Sequence, residues 1–90
     1  MLRIHQRLEP DSTTLLLEGK LLAPWVGEVR LAAASALARG HLKLDLSDLA
    51  FADAEGVALL QSLQQGGVEY IHVSEFIGGL LTLVRLAKQS

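Results

Sequence analysis

The sequence predicts one α/β domain, residues 1–90, in which helices are layered on a mixed sheet of about four strands. Short segments in which apolar and polar side chains alternate, as in half-buried strands, are interleaved with longer segments of helical periodicity. Half of the residues are hydrophobic and 20% are charged, so the chain can build one core and is not intrinsically disordered. The chain has no cysteine, which excludes a disulfide framework.

The composition also limits the class of partner. Eight Lys and Arg residues stand against ten Asp and Glu residues, with no basic run and few aromatic side chains, so we expect no nucleic-acid partner. No apolar stretch reaches the roughly 18–20 residues that cross a bilayer. The N-terminal segment lacks the apolar core of a signal peptide. We therefore expect a cytoplasmic protein that does not insert into a membrane.

The N-terminal third of the chain predicts a β-hairpin. Residues 2–8 alternate between apolar and polar side chains, and Thr13–Glu18 form a second, leucine-rich strand that Gly19 ends. Between them, residues 10–12 read Pro-Asp-Ser, which is typical of a turn. Strands joined by so short a turn pair as an antiparallel hairpin.

The first helix is predicted from Pro24 to the capping position Gly40, because proline is tolerated in a first helical turn and glycine favours helix ends. Residues 42–46 then alternate leucine with polar side chains and predict a third strand, which we place at the centre of the sheet.

The last part of the chain predicts two more helices around a fourth strand. Asp53 is the expected N-cap of the second helix, which ends at Gly66-Gly67. Residues 68–73 form the fourth strand, and Ser74 caps a final helix. The resulting order β-β-α-β-α-β-α predicts parallel pairing among the later strands, with the hairpin adding an antiparallel edge.

The most informative segment is LDLSDLAFADAEG, residues 44–56, where a strand of alternating leucines leads through a short loop into a helix. It resembles the signature of the STAS domain, the fold of bacterial anti-sigma-factor antagonists and of the cytoplasmic tails of sulfate transporters. The resemblance covers residues 13–84. The positions that match the family pattern are Leu44, Leu46, Leu49, Phe51, Asp53 and Gly56.

The resemblance implies a STAS-like fold and a bacterial signal-transduction role in sigma-factor regulation, performed by protein–protein interaction. The implied partner is an anti-sigma factor or a serine kinase of the GHKL ATPase type. Because family members usually continue into a further strand and helix, we expect a minimal, C-terminally shortened member.

One position departs from the family pattern. The residue before the signature glycine is the phosphoacceptor Ser or Thr in regulated antagonists, and here it is Glu55, while Ala54 supplies no hydroxyl either. Glu55 therefore cannot be phosphorylated. Phosphoserine carries about −1.5 to −2 charges and glutamate carries one, so we hypothesise that Glu55 is a permanent, partial imitation of the phosphorylated state. The alternative is that Asp53 and Glu55 are ordinary residues of a helix start.

The predicted partner-binding surface is the loop before the second helix together with the first turn of that helix. Its candidate residues are Phe51, Ala52, Asp53, Ala54, Glu55, Val57 and Ala58.

Two other functions stay open. Small STAS proteins also serve as cytoplasmic subunits docked on the ATPase of lipid-type ABC transporters, so a transporter ATPase is a second possible partner. The acidic residues Asp45, Asp48, Asp53 and Glu55 give a weaker third alternative, a metal-dependent phosphotransfer protein. Solvated loop carboxylates explain that cluster more simply.

The sequence predicts no enzyme, no catalytic residue, no metal site and no cofactor. His5, His41 and His72 lack the spacing of metal ligands, and no serine stands in a nucleophile-elbow motif.

The final helix is apolar nearly all the way round, and Gly78-Gly79 weakens it by up to about 2 kcal/mol relative to alanines. Simple core packing is one explanation, and a homodimer or partner interface is the other. The candidate interface residues are Phe76, Leu80, Leu83 and Leu86.

Overall fold

A computed structural model describes the backbone of residues 1–89 and the side chains of residues 1–82. Five strands and three helices follow one another in this part of the chain. They are β1 (Leu2–Leu8), β2 (Ser12–Leu21), α1 (Ala23–Arg39), β3 (His41–Asp45), β4 (Leu49–Ala52), α2 (Ala54–Gln65), β5 (Glu69–Ile71) and α3 (Glu75–Gln89).

The strands form one mixed sheet, which confirms the predicted fold class. The order across the sheet is β1-β2-β3-β5, and β4 also pairs with β2. The predicted hairpin is present: β1 and β2 are antiparallel, with Leu2 opposite Gly19 and Leu8 opposite Thr13. All other pairs are parallel, as the strand–helix–strand connections require. The third strand lies at the centre, as expected.

The sheet contains one strand more than the predicted four. Leu49–Ala52, which was expected to be a loop, forms β4 and pairs with the C-terminal part of β2, whereas β3 pairs with its N-terminal part. The prediction ended β2 at Gly19, but the strand continues to Leu21. It is therefore long enough to pair with both β3 and β4. Gly19 has a φ of +107°, and a Cβ there would clash with the backbone of Met1. Glycine thus permits a close strand approach instead of ending the strand.

All three helices pack on the same face of the sheet. The fully buried strand residues Leu15, Leu17 and Leu44 form one cluster with residues of each helix, such as Val29 of α1 and Ile77 of α3. Along each strand, the side chains that alternate with the buried ones lie on the opposite face, and most of them are charged or polar and exposed. One face of the sheet is therefore core and the other faces solvent.

The helix and strand ends largely follow the predicted signals. Pro24 lies in the first turn of α1, and the Gly40 N–H donates to the Leu37 carbonyl at its end. The fourth strand was predicted over residues 68–73, but the observed strand β5 covers only Glu69–Ile71. It ends there because His72 has a φ of +55°, outside the extended region.

The start of α3 is anchored as expected. The Ile77 N–H donates to Ser74 Oγ at 3.2 Å, and the Ile77 side chain is buried. Leu80 and Leu81 are half-buried, whereas Phe76 is 54% exposed. The candidate interface residues Leu83 and Leu86 lie outside the described side chains. No helix in the described part of the chain combines the length and apolar character needed to span a membrane.

Candidate functional site

Asp53 joins the N-termini of two helices. Its Oδ1 accepts a hydrogen bond from the Gly56 N–H at 2.8 Å, which makes it the N-cap of α2. Its Oδ2 accepts from the Ala23 N–H, also at 2.8 Å, at the first residue of α1. The N-cap of α1, Leu22, has no side chain able to accept that bond. The predicted capping role of Asp53 is confirmed, and the second bond links the β4–α2 junction to α1.

Gly56 lets α2 pack directly against β2. A Cβ at this position would clash with the Leu21 carbonyl oxygen and lie 3.0 Å from Leu21 Cγ and 3.3 Å from Ala52 Cβ. The strand-to-helix turn is therefore held from two sides, by the Asp53 carboxylate and by this contact. The same rigid turn leaves Ala54 and Glu55 exposed to solvent.

Two phenylalanine rings meet beside this turn. Phe51 of β4 and Phe76 of α3 have ring centroids 6.3 Å apart with a tilt of 32°, within the range of favourable aromatic pairs. Phe51 is 37% exposed and Phe76 is 54% exposed. We call the exposed residues Phe51, Ala54, Glu55 and Phe76 the α2 N-terminal surface. Phe76 was predicted to belong to a homodimer or partner interface because the final helix is apolar nearly all the way round. Nothing in the local sequence indicates its contact with Phe51.

The structure separates the predicted partner-binding residues into two groups. Phe51, Ala54 and Glu55 are exposed, and Asp53 and Ala58 are half-buried. Ala52 and Val57 are each 2% exposed, so in this conformation they cannot contact a partner. Ala52 and Val57 were predicted to contact a partner, but both belong to the buried core cluster instead.

Glu55 lies in the first turn of α2, where the helix dipole favours a negative charge by about 0.3–1 kcal/mol. The ion pairs found among residues 1–82 are His5–Glu18 and His72–Asp45, and Glu55 is in neither. Its carboxylate is therefore presented to solvent at the exposed start of the helix, where a partner can reach it.

A second polar contact ties the connections that precede β4 and α3. Asp45 Oδ2 lies 3.1 Å from His72 Nδ1, and Asp45 Oδ1 accepts from the Ser47 N–H at 2.9 Å. Burial alone would raise the pKa of Asp45, but the hydrogen bonds from Ser47 and His72 outweigh it and hold the pKa below its ordinary value. Asp45 thus fixes the loop that leads to Phe51.

The acidic residues considered for metal binding are dispersed. Asp45 pairs with His72, Asp53 caps two helices, and Asp48 and Glu55 are exposed. No group of three or more His, Asp or Glu side chains within residues 1–82 is arranged to hold a metal ion. The Tyr70 hydroxyl, in a groove between α2 and α3, is buried without a hydrogen-bond partner among the residues whose side chains are described, and burial raises the pKa of this hydroxyl.

Comparison with known proteins gives a family match and fold matches. A family model described as "Mlab, STAS domain" matches residues 4–90. No curated protein sequence is similar enough to count as a relative.

Two solved structures share the fold. The anti-sigma factor antagonist SpoIIAA in its unphosphorylated form aligns with a TM-score of 0.69 at 15% identity, over 91% of this chain and 82% of that one. A protein of Shewanella loihica PV-4 with a SpoIIAA-like fold aligns with a TM-score of 0.58 at 18% identity, over 83% of this chain and 69% of that one.

Proposed function

Because the chain belongs to the STAS domain family, we propose that it is a non-catalytic module that binds another protein through the α2 N-terminal surface. Its fold is that of an anti-sigma-factor antagonist. We further propose that its partner is an anti-sigma factor or a GHKL-type serine kinase, as the resemblance implies.

The observation that carries the proposal is the exposure of Glu55 on a rigid turn. Asp53 and Gly56 hold the strand-to-helix junction by a hydrogen bond and a close backbone contact, so the first turn of α2 has one defined geometry. A surface that is ordered before binding loses little conformational entropy when a partner docks. Exposed Phe51 and Phe76, whose ring centroids are 6.3 Å apart, add apolar area to this surface.

Glu55 fixes this surface in one electrostatic state. It occupies the position at which the resemblance places a phosphorylatable hydroxyl, and it carries a single negative charge there at neutral pH. A serine or threonine kinase therefore cannot add charge at this residue, and a phosphatase cannot remove it. Any partner recognises one constant form of the surface, in contrast to the two forms of a phosphorylated antagonist.

The proposal is tested by capture of partners from the source organism's lysate. The immobilised wild-type chain is compared with Glu55→Ser and with the control Glu28→Ser, which removes an exposed carboxylate of α1. Proteins that wild type and control retain are identified by mass spectrometry, and their affinities for all three chains are measured. We expect Glu55→Ser to weaken binding about fivefold, equivalent to ~1 kcal/mol, because an exposed charge contact is lost.

The identity of the captured protein distinguishes the two candidate roles. An anti-sigma factor or kinase-like ATPase that distinguishes Glu55→Ser from Glu28→Ser supports the antagonist-like role. A transporter ATPase would assign the chain instead to the subunits docked on lipid-type ABC transporters. Equal affinity of every captured protein for wild type and Glu55→Ser would contradict a binding role for the charge at this residue.

A further inference from the structure

Strand β1 has one edge that no other strand covers. It pairs with β2 alone, in a continuous register from Leu2 to Leu8 without a bulge. On its other side, its backbone N–H and C=O groups make no hydrogen bond to the described part of the chain. β1 has seven residues, whereas β4 and β5, which also have an unpaired side, have four and three. An unpaired edge of this length is a template on which another strand can pair.

The two faces of β1 carry different side chains. Arg3, His5 and Arg7 alternate along the open face of the sheet, and all three are exposed. On the helix side, Ile4 is half-buried and Leu8 is 67% exposed. A strand added beside β1 would bring its own side chains to about 4.5–5.5 Å, Cβ to Cβ, from these residues on the same two faces. The edge therefore offers cations on one face and uncovered apolar area on the other.

The end of this edge at Arg7 has no carboxylate beside it in the sheet. The register places Arg7 next to Thr14 of β2, and Thr14 next to Lys43 of β3, so two cations flank a threonine. Glu69 of β5 lies on the far side of Lys43, and Glu9 follows the end of β1 in the hairpin turn. Arg7 is in neither of the ion pairs found among residues 1–82. A carboxylate on an added strand would therefore meet Arg7 without displacing an existing ion pair.

The acids nearer the other end are already engaged. Arg3 lies opposite Glu18 of β2, but the Glu18 carboxylate is 2.8 Å from His5 Nε2 and forms its ion pair with that ring. Asp45 of β3 is paired with His72. Arg3, like Arg7, is in no ion pair among the described side chains. An added strand thus has two arginines available on the open face.

We propose that the free edge of β1 accepts an extended segment of a second protein in which acidic side chains alternate with apolar ones. Backbone hydrogen bonds to β1 hold the segment in the sheet. Its acidic side chains lie beside Arg3 and Arg7, and its apolar side chains lie beside Ile4 and Leu8. The inference goes beyond the proposed function and does not depend on it, because β2 separates β1 from β4, the strand that carries Phe51.

A second copy of this chain fits the same edge poorly. Antiparallel pairing of β1 with β1 of a copy over the full strand would place each Arg3 opposite an Arg7. Like charges directly opposite each other destabilise a strand pair. The two arginines therefore oppose self-association through this edge and favour an acidic strand.

The inference is tested by NMR titration of the isotope-labelled chain with a blocked peptide of about seven residues in which glutamate alternates with valine, matched to the length of β1. The charge control has lysine in place of glutamate, and the strand control has proline in place of the central valine, which removes a backbone donor. We expect the acidic peptide to shift the amide resonances of Leu2–Leu8, and both controls to leave them unchanged. Added salt should weaken the binding, because the arginines are exposed and screened.

Two matched variants test the charge contact. Arg7→Gln should weaken binding of the acidic peptide about threefold, the size expected for one exposed cross-strand charge pair. Arg30→Gln removes an exposed arginine of α1, and it should leave the affinity unchanged. Both arginines are exposed and outside the ion pairs of residues 1–82, so neither variant removes a core contact.

The inference is overturned if the acidic peptide leaves the β1 amides unshifted at millimolar concentration, or if the lysine or proline peptide binds equally well. It is also overturned if sedimentation shows a dimer of the free chain in which the β1 amides are protected from exchange, because the occupant is then a second copy. None of these results bears on the proposed function, which is decided by lysate capture with Glu55→Ser and uses no peptide.

Discussion

At the scale of single residues, the signature segment contains two residues that hold the strand-to-helix turn and one that is exposed. Asp53 is occupied by hydrogen bonds to the Ala23 and Gly56 N–H groups, and Gly56 is packed against β2. Glu55 lies between them in sequence but is exposed. Two of these three residues hold the turn, which leaves the third as the charge that a partner can recognise.

The role of Gly56 predicts a loss of stability on addition of one methyl group. Alanine favours a helix over glycine by about 1 kcal/mol, but the Gly56→Ala methyl would clash with the Leu21 carbonyl oxygen. We expect the clash to outweigh the gain and to lower the free energy of unfolding by about 1–3 kcal/mol, measured by urea denaturation.

Gly79→Ala is the matched control, because Gly79 is exposed in α3 and its Cβ would have no neighbour within 4 Å. This variant should leave stability unchanged or raise it by up to about 1 kcal/mol. If Gly56→Ala is as stable as Gly79→Ala, the close packing of α2 on β2 is wrong.

At the scale of elements, the contact between Asp45 and His72 connects the two segments that carry the aromatic rings. Asp45 ends β3, just before the turn into β4, and His72 follows β5, just before α3. The positions of β4 and α3 thus depend in part on the Asp45 carboxylate. The side chains of His5 and Arg7, on β1, line the same depression of the open sheet face as Asp45.

This contact predicts a dependence of stability on pH. The pKa of Asp45 is lower in the folded chain than its ordinary value of 3.8. The stabilisation is therefore complete above about pH 4 and is lost as the pH falls through the lower pKa of the folded state. Urea denaturation should find wild type more stable than Asp45→Asn at about pH 6, with the difference shrinking toward about pH 2.

Asp11→Asn provides the comparison, since Asp11 is exposed and its side chain makes no hydrogen bond within residues 1–82. Its difference from wild type should stay near zero across the same range. A difference between wild type and Asp45→Asn that does not change with pH would refute the role assigned to the Asp45 carboxylate.

Local sequence patterns predicted most elements and the turn that carries the site. The hairpin, the three helices, the Asp53 cap and the central third strand depend on short-range periodicity and capping, so they could be predicted. The strand β4 could not, because its four residues gain a partner only when β2 extends past Gly19. The predicted fourth strand was longer than the observed β5, because nothing in the local sequence indicates the positive φ of His72.

The site was predicted less completely than the fold. The exposed Phe51 and Glu55 followed from the signature segment, whereas the burial of Ala52 and Val57 depends on how α2 lies on β2. The contact between Phe51 and Phe76 joins residues far apart in sequence, so only the tertiary structure reveals it.

At the scale of the whole molecule, charge is segregated along the chain. Six of the eight Lys and Arg residues precede residue 44, and the acidic stretch between Lys43 and Arg85 follows. The basic residues Arg3, Arg7, Lys20 and Lys43 belong to strands β1 to β3, on the face of the sheet opposite the helices. The acidic stretch carries the turn at the start of α2. The separation is not complete in space, because Lys20 of β2 lies opposite Phe51 of β4 in the sheet.

The central claim is that a protein partner binds at the α2 N-terminal surface, and hydrogen–deuterium exchange of the chain with and without its captured partner tests this most directly. We predict slower exchange of backbone amides in the first turns of α2 and α3, with no change on β1 or on the middle of α1. Protection confined to β1 or α1, with the first turns of α2 and α3 unchanged, would contradict the claim.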